Sequence, residues 1–161
     1  GPFQSPPLKP EEAEVFHSVV AKLLYVSIRA RMDILLAISF LCTRVSCSTQ
    51  QDQNKLKRLL EYLKGTLDMF LCLGADDLSV MRTWVDASYA TYEDMKSHTG
   101  GLVSFGRGGL MCKSSKQKLN TKSSTEAAVV GASDYLPNTI WLKLFLEAQG
   151  IQVSQNYFEQ R

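Results

Sequence analysis

Apolar positions recur at helical spacing over the first part of the chain and at strand spacing over most of the rest. Val15, Val19, Leu23 and Val26 repeat at three and four residues, with Phe16, Val20 and Leu24 beside them, the pattern of an amphipathic helix. Asp33 to Val45 reads as a second helix, with Ile34, Ala37, Ile38, Leu41 and Val45 on one face. Ser48-Thr49-Gln50-Gln51 has the shape of a capping box. It opens a third helix bearing Leu56, Leu59, Leu60 and Leu63, which stops at Gly65. Asp76-Asp77 is turn-like, and Val80 to Asp86 alternates and is rich in β-formers. Gly100-Gly101 precedes a strand over Leu102–Phe105. Gly106 to Gly109 reads as a hairpin turn, and Leu110–Lys113 as the returning strand. Ser123-Ser124-Thr125-Glu126 is a second capping box, opening a helix that runs to about Ala148. Gly150 follows that helix, and Ile151 to Phe158 is a last short strand.

This order predicts an α+β or α/β chain: a helical N-terminal segment, then three antiparallel strands, a long helix, and one further strand pairing parallel through the helical crossover. The expected divisions are an extended lead-in over 1–13, a helical segment over 14–75 and a strand–helix segment over 76–161. Four of the five prolines fall in residues 1–10, which suits the lead-in.

Composition narrows the class. The 161 residues are 45% apolar and 21% charged, which is ordinary for one globular domain or two small ones and excludes disorder over most of the chain. The longest nearly unbroken apolar run, Ile34 to Cys42, contains Ser39 and is less than half the roughly 20 residues a spanning helix needs, so no membrane partner is expected. Gly1-Pro2-Phe3-Gln4 has neither an initiator Met nor a signal pattern, so the chain reads as a fragment, a processed product or a tagged one.

Net charge is +2, but it is unevenly spread. Arg107, Lys113, Lys116, Lys118 and Lys122 form a run without an acidic residue, and the third helix exposes Lys55, Lys57, Arg58 and Lys64. Such runs meet phosphates or simply solvate a face. Cys42, Cys47, Cys72 and Cys112 show no Cys-x-x-Cys spacing, and His17 and His98 lie near no cysteine pair. Reduced, mostly buried thiols in an intracellular protein, cytoplasmic or nuclear rather than secreted, are expected instead of zinc ligands. Trp84 sits in a strand and Trp141 in a helix beside Leu142, Leu144 and Phe145, so both read as core residues.

Two carboxylates carry the candidate chemistry. Asp86 ends a buried-looking strand and Glu126 opens the long helix. A carboxylate at each of those places can converge on a metal, as two-metal phosphodiester hydrolysis requires. The simpler readings are a turn for Asp86 and a helix cap for Glu126.

Several blocks then add a resemblance. Trp84-Val85-Asp86-Ala87-Ser88-Tyr89-Ala90, Lys96-Ser97-His98-Thr99-Gly100-Gly101, Ser114-Ser115-Lys116-Gln117-Lys118 and Ser123-Ser124-Thr125-Glu126-Ala127 resemble the ribonuclease H region of copia-type LTR-retrotransposon Pol polyproteins. Phe16-His17-Ser18-Val19-Val20-Ala21-Lys22-Leu23-Leu24-Tyr25, Arg31-Met32-Asp33-Ile34 and the stretch from Lys57 to Thr66 resemble that family's segment after the polymerase palm. The likeness covers about residues 14–160. It implies a reverse-transcriptase thumb or connection over 14–75, followed by a partial ribonuclease H-like domain. It further implies Asp86 and Glu126 as catalytic residues and Mg²⁺ ligands, and RNA–DNA hybrid as the partner. Lys113, Lys116, Lys118, Lys122, Lys57 and Arg58 become candidate nucleic-acid contacts.

The chain departs from the family pattern in three places. The third family carboxylate, an Asp after the long helix, falls at or near Arg161, where a cation repels metal. Glu159, two residues earlier on the same face, is a poor substitute. Pro137 interrupts a stretch that is continuous helix in the family, and Met32 stands where Pro is usual. An inactive fragment that still binds nucleic acid is therefore the leading expectation. A nuclease completed by Glu159 or a partner chain, and a domesticated interaction module self-associating through an open sheet edge, are the alternatives.

Overall fold

The computed structural model describes residues 5–160. The chain divides into two compact units, Gly1–Leu71 and Cys72–Arg161. In the first, residues 5–9 carry no helix, and Pro7 bridges Thr49. Helix α1 spans Pro10–Arg29, with proline at its start and Glu11 and Glu12 in its first turn, where the helix dipole favours negative charge. Its buried face is Phe16, Val20, Leu23 and Ser27. The expected stripe is thus displaced, because Val15 and Val26 face outward. Both stripes have helical spacing, so only packing distinguishes them.

The expected helix over 33–45 is shorter. A single 3-10 turn, Met32–Ile34, leads into α2, Leu35–Cys42. The Thr43 hydroxyl donates to the Phe40 carbonyl, and the Thr43 and Arg44 N–H groups bond three residues back. These bonds tighten the end of the helix. Ile34, Leu35, Ile38 and Leu41 are buried, while Ala37 is exposed and Val45 half-buried. Helix α3, Gln50–Gly65, has its capping box one residue later than expected. Thr49 accepts from the Asp52 N–H, and Asp52 Oδ2 accepts from the Thr49 N–H. Leu56 and Leu59 face inward, and Leu60 does not. Arg31 ties the 3-10 turn to the end of α3. Its guanidinium donates to both Asp33 carboxylate oxygens (2.8 and 3.0 Å) and to the Thr66 carbonyl and hydroxyl. The Arg31 hydrogen bond holds the Asp33 carboxyl below the usual range.

In the second unit, β2 (Val80–Ser88), β3 (His98–Ser104), β5 (Met111–Lys116) and β6 (Gln155–Gln160) form one sheet in the order β5-β3-β2-β6. The β2–β3 and β3–β5 pairs are antiparallel, and β6 lies parallel to β2. A smaller pair joins β1 (Gly74–Ala75) to β4 (Gly106–Arg107). Glycine at 106 and 108 supplies the positive φ (140° and 70°) that this turn needs. Gly100 and Gly101 lie inside β3, not before it. The crossover from β5 to β6 is α4, Ser124–Ala148, as the sequence pattern predicts.

Helix α4 covers one face of the sheet. Met81, Thr83, Val85 and Val103 are buried beneath it, with Tyr135 and Leu142 in the same core. The approach is close at two places. A Cβ at position 101 would lie only 2.4 Å from two carbons of the Tyr135 ring, and one at Gly131 would press on Ala87 and Thr99 at 3.3 Å. Pro137 does not break the helix. The carbonyl it leaves unpaired belongs to Ser133, which is exposed, so water can satisfy it.

The outer side of α4 is unexpectedly apolar. Leu136, Ile140, Leu144 and Phe145 are exposed. Trp141 is exposed as well (57%) and stacks on Phe145 with centroids 5.3 Å apart, so it is not a core residue. No helix of the described residues is long and apolar enough to cross a membrane. Gly101→Ala should lower stability by roughly 1–3 kcal/mol through overpacking against Tyr135, read as a fall in the urea midpoint. Gly100→Ala, with nothing within 4 Å of its Cβ position, should change stability by less than about 0.5 kcal/mol.

Candidate nucleic-acid and metal-binding site

Strand alternation decides where Asp86 points. Val85 and Ala87 face α4, so Asp86 projects from the opposite, open face together with Trp84 and Ser88. It is exposed, and its Oδ1 accepts from the Ala87 N–H at 2.8 Å. Directly across the sheet lie Gly100 on β3 and Ser114 on β5. Gly100 contributes no side chain, so a shallow groove lined by Trp84, Asp86, Gly100 and Leu102 opens there.

Glu126 stands in the first turn of α4, over the same end of the sheet. Gly131 sits against Ala87, and Glu126 is five residues nearer the helix start, about 7.5 Å further along the axis. Its side chain is occupied as a cap. Oε2 accepts from the Lys122 N–H at 2.7 Å, while Ser123 Oγ accepts from the Glu126 N–H at 3.1 Å. Asp86 and Glu126 thus share an end of the sheet but serve opposite faces.

Glu159 pairs with Trp84 across β2 and β6, and its carboxylate accepts from the Trp84 indole N–H at 3.0 Å. That bond places Trp84, half-buried, on the open face and not in the core. Arg161, where the family's third carboxylate is expected, lies outside the described residues. Among the described residues no three His, Cys, Asp or Glu side chains gather as a metal site. No third such group joins Asp86 and Glu126 among the described residues.

The lysines are scattered. Lys113, on the α4 side of β5, donates to the Asp134 carbonyl at 3.3 Å. Lys116, on the open side, pairs with Asp94 at 2.7 Å and lies 4.7 Å from the Tyr92 ring centroid. Lys118 and Lys122 are exposed on the segment joining β5 to α4. Lys57 and Arg58 are exposed on α3 in the other unit.

The four cysteines form no disulfide, and they are not mostly buried. Cys47 and Cys72 are exposed, and Cys42 and Cys112 half-buried. Burial pushes the Cys112 thiol up to about 11, away from nucleophilic character.

Sequence reasoning missed a hydrogen-bonded chain beside Asp86. Tyr92 Oη lies 2.7 Å from His98 Nδ1, and His98 Nε2 lies 2.7 Å from Ser114 Oγ. Period-two spacing signals only that Ser114 and Lys116 share a face. Nothing in the pattern brings Tyr92, which lies in a loop, back onto it.

Comparison with known proteins defines the class of chain that carries this sheet. Over 137 residues it is 31% identical to the retrovirus-related Pol polyprotein from transposon TNT 1-94 of Nicotiana tabacum, covering 84% of this chain and 10% of that one. It is 30% identical over 140 residues to the retrovirus-related Pol polyprotein from transposon RE2 of Arabidopsis thaliana (86% and 10%). The corresponding protein from transposon RE1 of the same plant is 28% identical over 141 residues (87% and 10%). No family model and no solved structure matches the chain. The chain is thus related, over most of its length, to a segment of copia-type retrotransposon Pol polyproteins. It spans about a tenth of the length of those relatives.

With one carboxylate capping a helix and the other on the far face, millimolar Mg²⁺ should leave the thermal midpoint unchanged. A ligand held only by the folded state would raise it. A rise that disappears both in Asp86→Asn and in Glu126→Gln would show that the two carboxylates do come together on the ion.

Proposed function

We propose that residues 72–161 carry a ribonuclease H-like fold within a Pol-derived segment, and that the chain holds RNA–DNA hybrid without cutting it. The observation that carries this reading is the disposition of Asp86 and Glu126. In support of it, Asp86 lies near the end of β2 and Glu126 in the first turn of the crossover helix α4, the kinds of position at which the resemblance expects catalytic carboxylates. They nevertheless do not form a metal-holding set with any third group among the described residues. One oxygen of the Glu159 carboxylate accepts from Trp84.

Binding would rest on sequence-independent backbone contacts. Exposed Lys118 and Lys122 supply charge at the Asp86 end of the sheet, and Lys57 and Arg58 supply it on α3. Lys113 and Lys116 already have partners and contribute less. Hybrid is read largely through its backbone and 2′-hydroxyls, so affinity should fall with salt and not with base sequence.

The exposed apolar side of α4 favours a second reading, an interaction module whose partner is protein. The two readings separate experimentally. An end-labelled RNA–DNA hybrid in Mg²⁺ and in Mn²⁺ should stay intact, while binding weakens steeply as salt rises and weakens further in Lys118→Ala/Lys122→Ala. Cleavage that is lost in Asp86→Asn would overturn the non-cutting reading. Weak, salt-independent binding would favour the protein partner.

A further inference from the structure

The nine residues between β2 and β3, residues 89–97, form a loop held shut largely by side chains. Tyr92 reaches His98 at 2.7 Å, and His98 passes the chain on to Ser114 at 2.7 Å. Asp94 pairs with Lys116 at 2.7 Å, and the same ammonium lies over the Tyr92 ring. At the base of the loop the Ala90 N–H donates to Ser97 Oγ (3.1 Å). Ser97 Oγ lies 2.9 Å from Thr121 Oγ1, and the Gln117 N–H donates to the Ser97 carbonyl. Two residues inside the loop, Ala90 and Met95, sit at φ 50° and 60°. Neither is glycine, so the closed conformation carries strain that these contacts must offset.

We propose that residues 89–97 are a proton-sensitive strap over the Asp86 end of the sheet, closed when His98 is neutral and released when it is charged. Tyr92 and Ser114 are hydroxyls, able to donate or accept, so either neutral tautomer of His98 completes the chain. A charged imidazole meets a different setting. Its cross-strand partner on β5 is Lys116 and on β2 is Ser88. Lys116 is already a cation, and the nearest loop carboxylate, Asp94, is spent on it. Glu93 is exposed on the loop. Lys96 joins through its backbone, its carbonyl accepting from the Tyr92 N–H and its N–H reaching Asp94 Oδ1 at 3.4 Å. Asp86 lies one pair further along the same face. His98 on β3 is half-buried, its ring nitrogens facing hydroxyls and no carboxylate among the described residues, and α4 packs on the other face.

The sign follows from linkage. Burial lowers the His98 value below the ordinary 6.5, so the closed strap binds fewer protons than the open one. The contribution to closure is complete above about pH 6.5 and is lost as pH falls through the lower, closed-state value. Asp94, held low by its hydrogen bond from Lys116, loosens the strap only at more acid pH.

Amide hydrogen exchange of the peptide spanning residues 89–97 tests this, followed from about pH 8 to about pH 5 and corrected for the intrinsic rate. Protection should fall several-fold across that range in the wild-type chain and in His17→Gln, and stay level in His98→Gln. Unchanged wild-type protection, or a step that persists in His98→Gln, would overturn the proposal. The His98 imidazole resonance of the wild-type chain provides the check if that variant does not fold. Its titration midpoint must coincide with the loss of loop protection, and a midpoint displaced from it would refute the switch.

Discussion

Tyr135 occupies the space that a side chain at position 101 would fill, and much of the second unit depends on that intrusion. It sets how deeply α4 settles on the sheet. Gly131 continues the close approach one turn earlier, against Ala87 and Thr99. The Tyr135 hydroxyl donates to the Met111 carbonyl at 3.1 Å, so the ring that fills the core also bonds to β5. Burial raises the Tyr135 hydroxyl well above its ordinary value, keeping the phenol neutral and a donor. With α4 fixed over β2 and β3, the chain leaves it at Gly150 and enters β6 beside β2, which completes the sheet order.

The same packing gives the sheet two unlike faces. The covered face carries Met81, Val85 and Val103, and also Thr83, whose hydroxyl lies 3.4 Å from that of Thr139 on α4. The open face carries Trp84, Asp86, His98, Ser114 and Lys116. A residue on β2 therefore serves either the core or the surface by parity alone. At the Asp86 end a buried polar set, Ser97, Thr99, Gln117 and Thr121, joins the strap, β5 and α4. The Gln117 amide donates to Thr99 Oγ1 and to the Ala127 carbonyl, both at 2.9 Å. This set links the start of α4 to the sheet by hydrogen bonds, beside the close packing of Gly131 on Ala87.

Much of this arrangement was legible in the residues. The three antiparallel strands, the crossover helix closing at Ala148 and the parallel return to β2 follow from period and capping alone. What failed were choices between equally periodic options. Val15 and Phe16 both head helical stripes, and only the packing of the first unit selects Phe16. Thr49 and Ser48 both resemble caps, and the carboxylate of Asp52 selects Thr49. Trp141 looked buried because its neighbours are apolar, yet α4 carries apolar residues on both sides and the sheet can take only one. Asp86 lies near the end of β2 and Glu126 in the first turn of α4. Their opposite faces escaped notice because a strand and a helix have different periods, and only their register against each other sets the angle between them.

That register bears on whether such a fold needs, for its stability, the metal chemistry the resemblance implies. Glu126 stabilises the start of α4 by accepting the Lys122 N–H, and Ser123 accepts the Glu126 N–H in turn. Helix caps of this kind contribute about 1 kcal/mol and need no ion. Asp86 accepts its own neighbour's N–H on an exposed face, where an unpaired charge costs little because water solvates it. Neither carboxylate is buried against the other, so there is no repulsion that a cation must relieve for the unit to fold. The core beneath α4 is largely apolar, and at the polar end the Gln117 amide nitrogen, Thr99, Ser97 and Thr121 bond to one another and to the α4 backbone. Loss of metal chemistry would therefore leave folding intact, and selection could retain the sheet, the exposed lysines and the strap for binding alone.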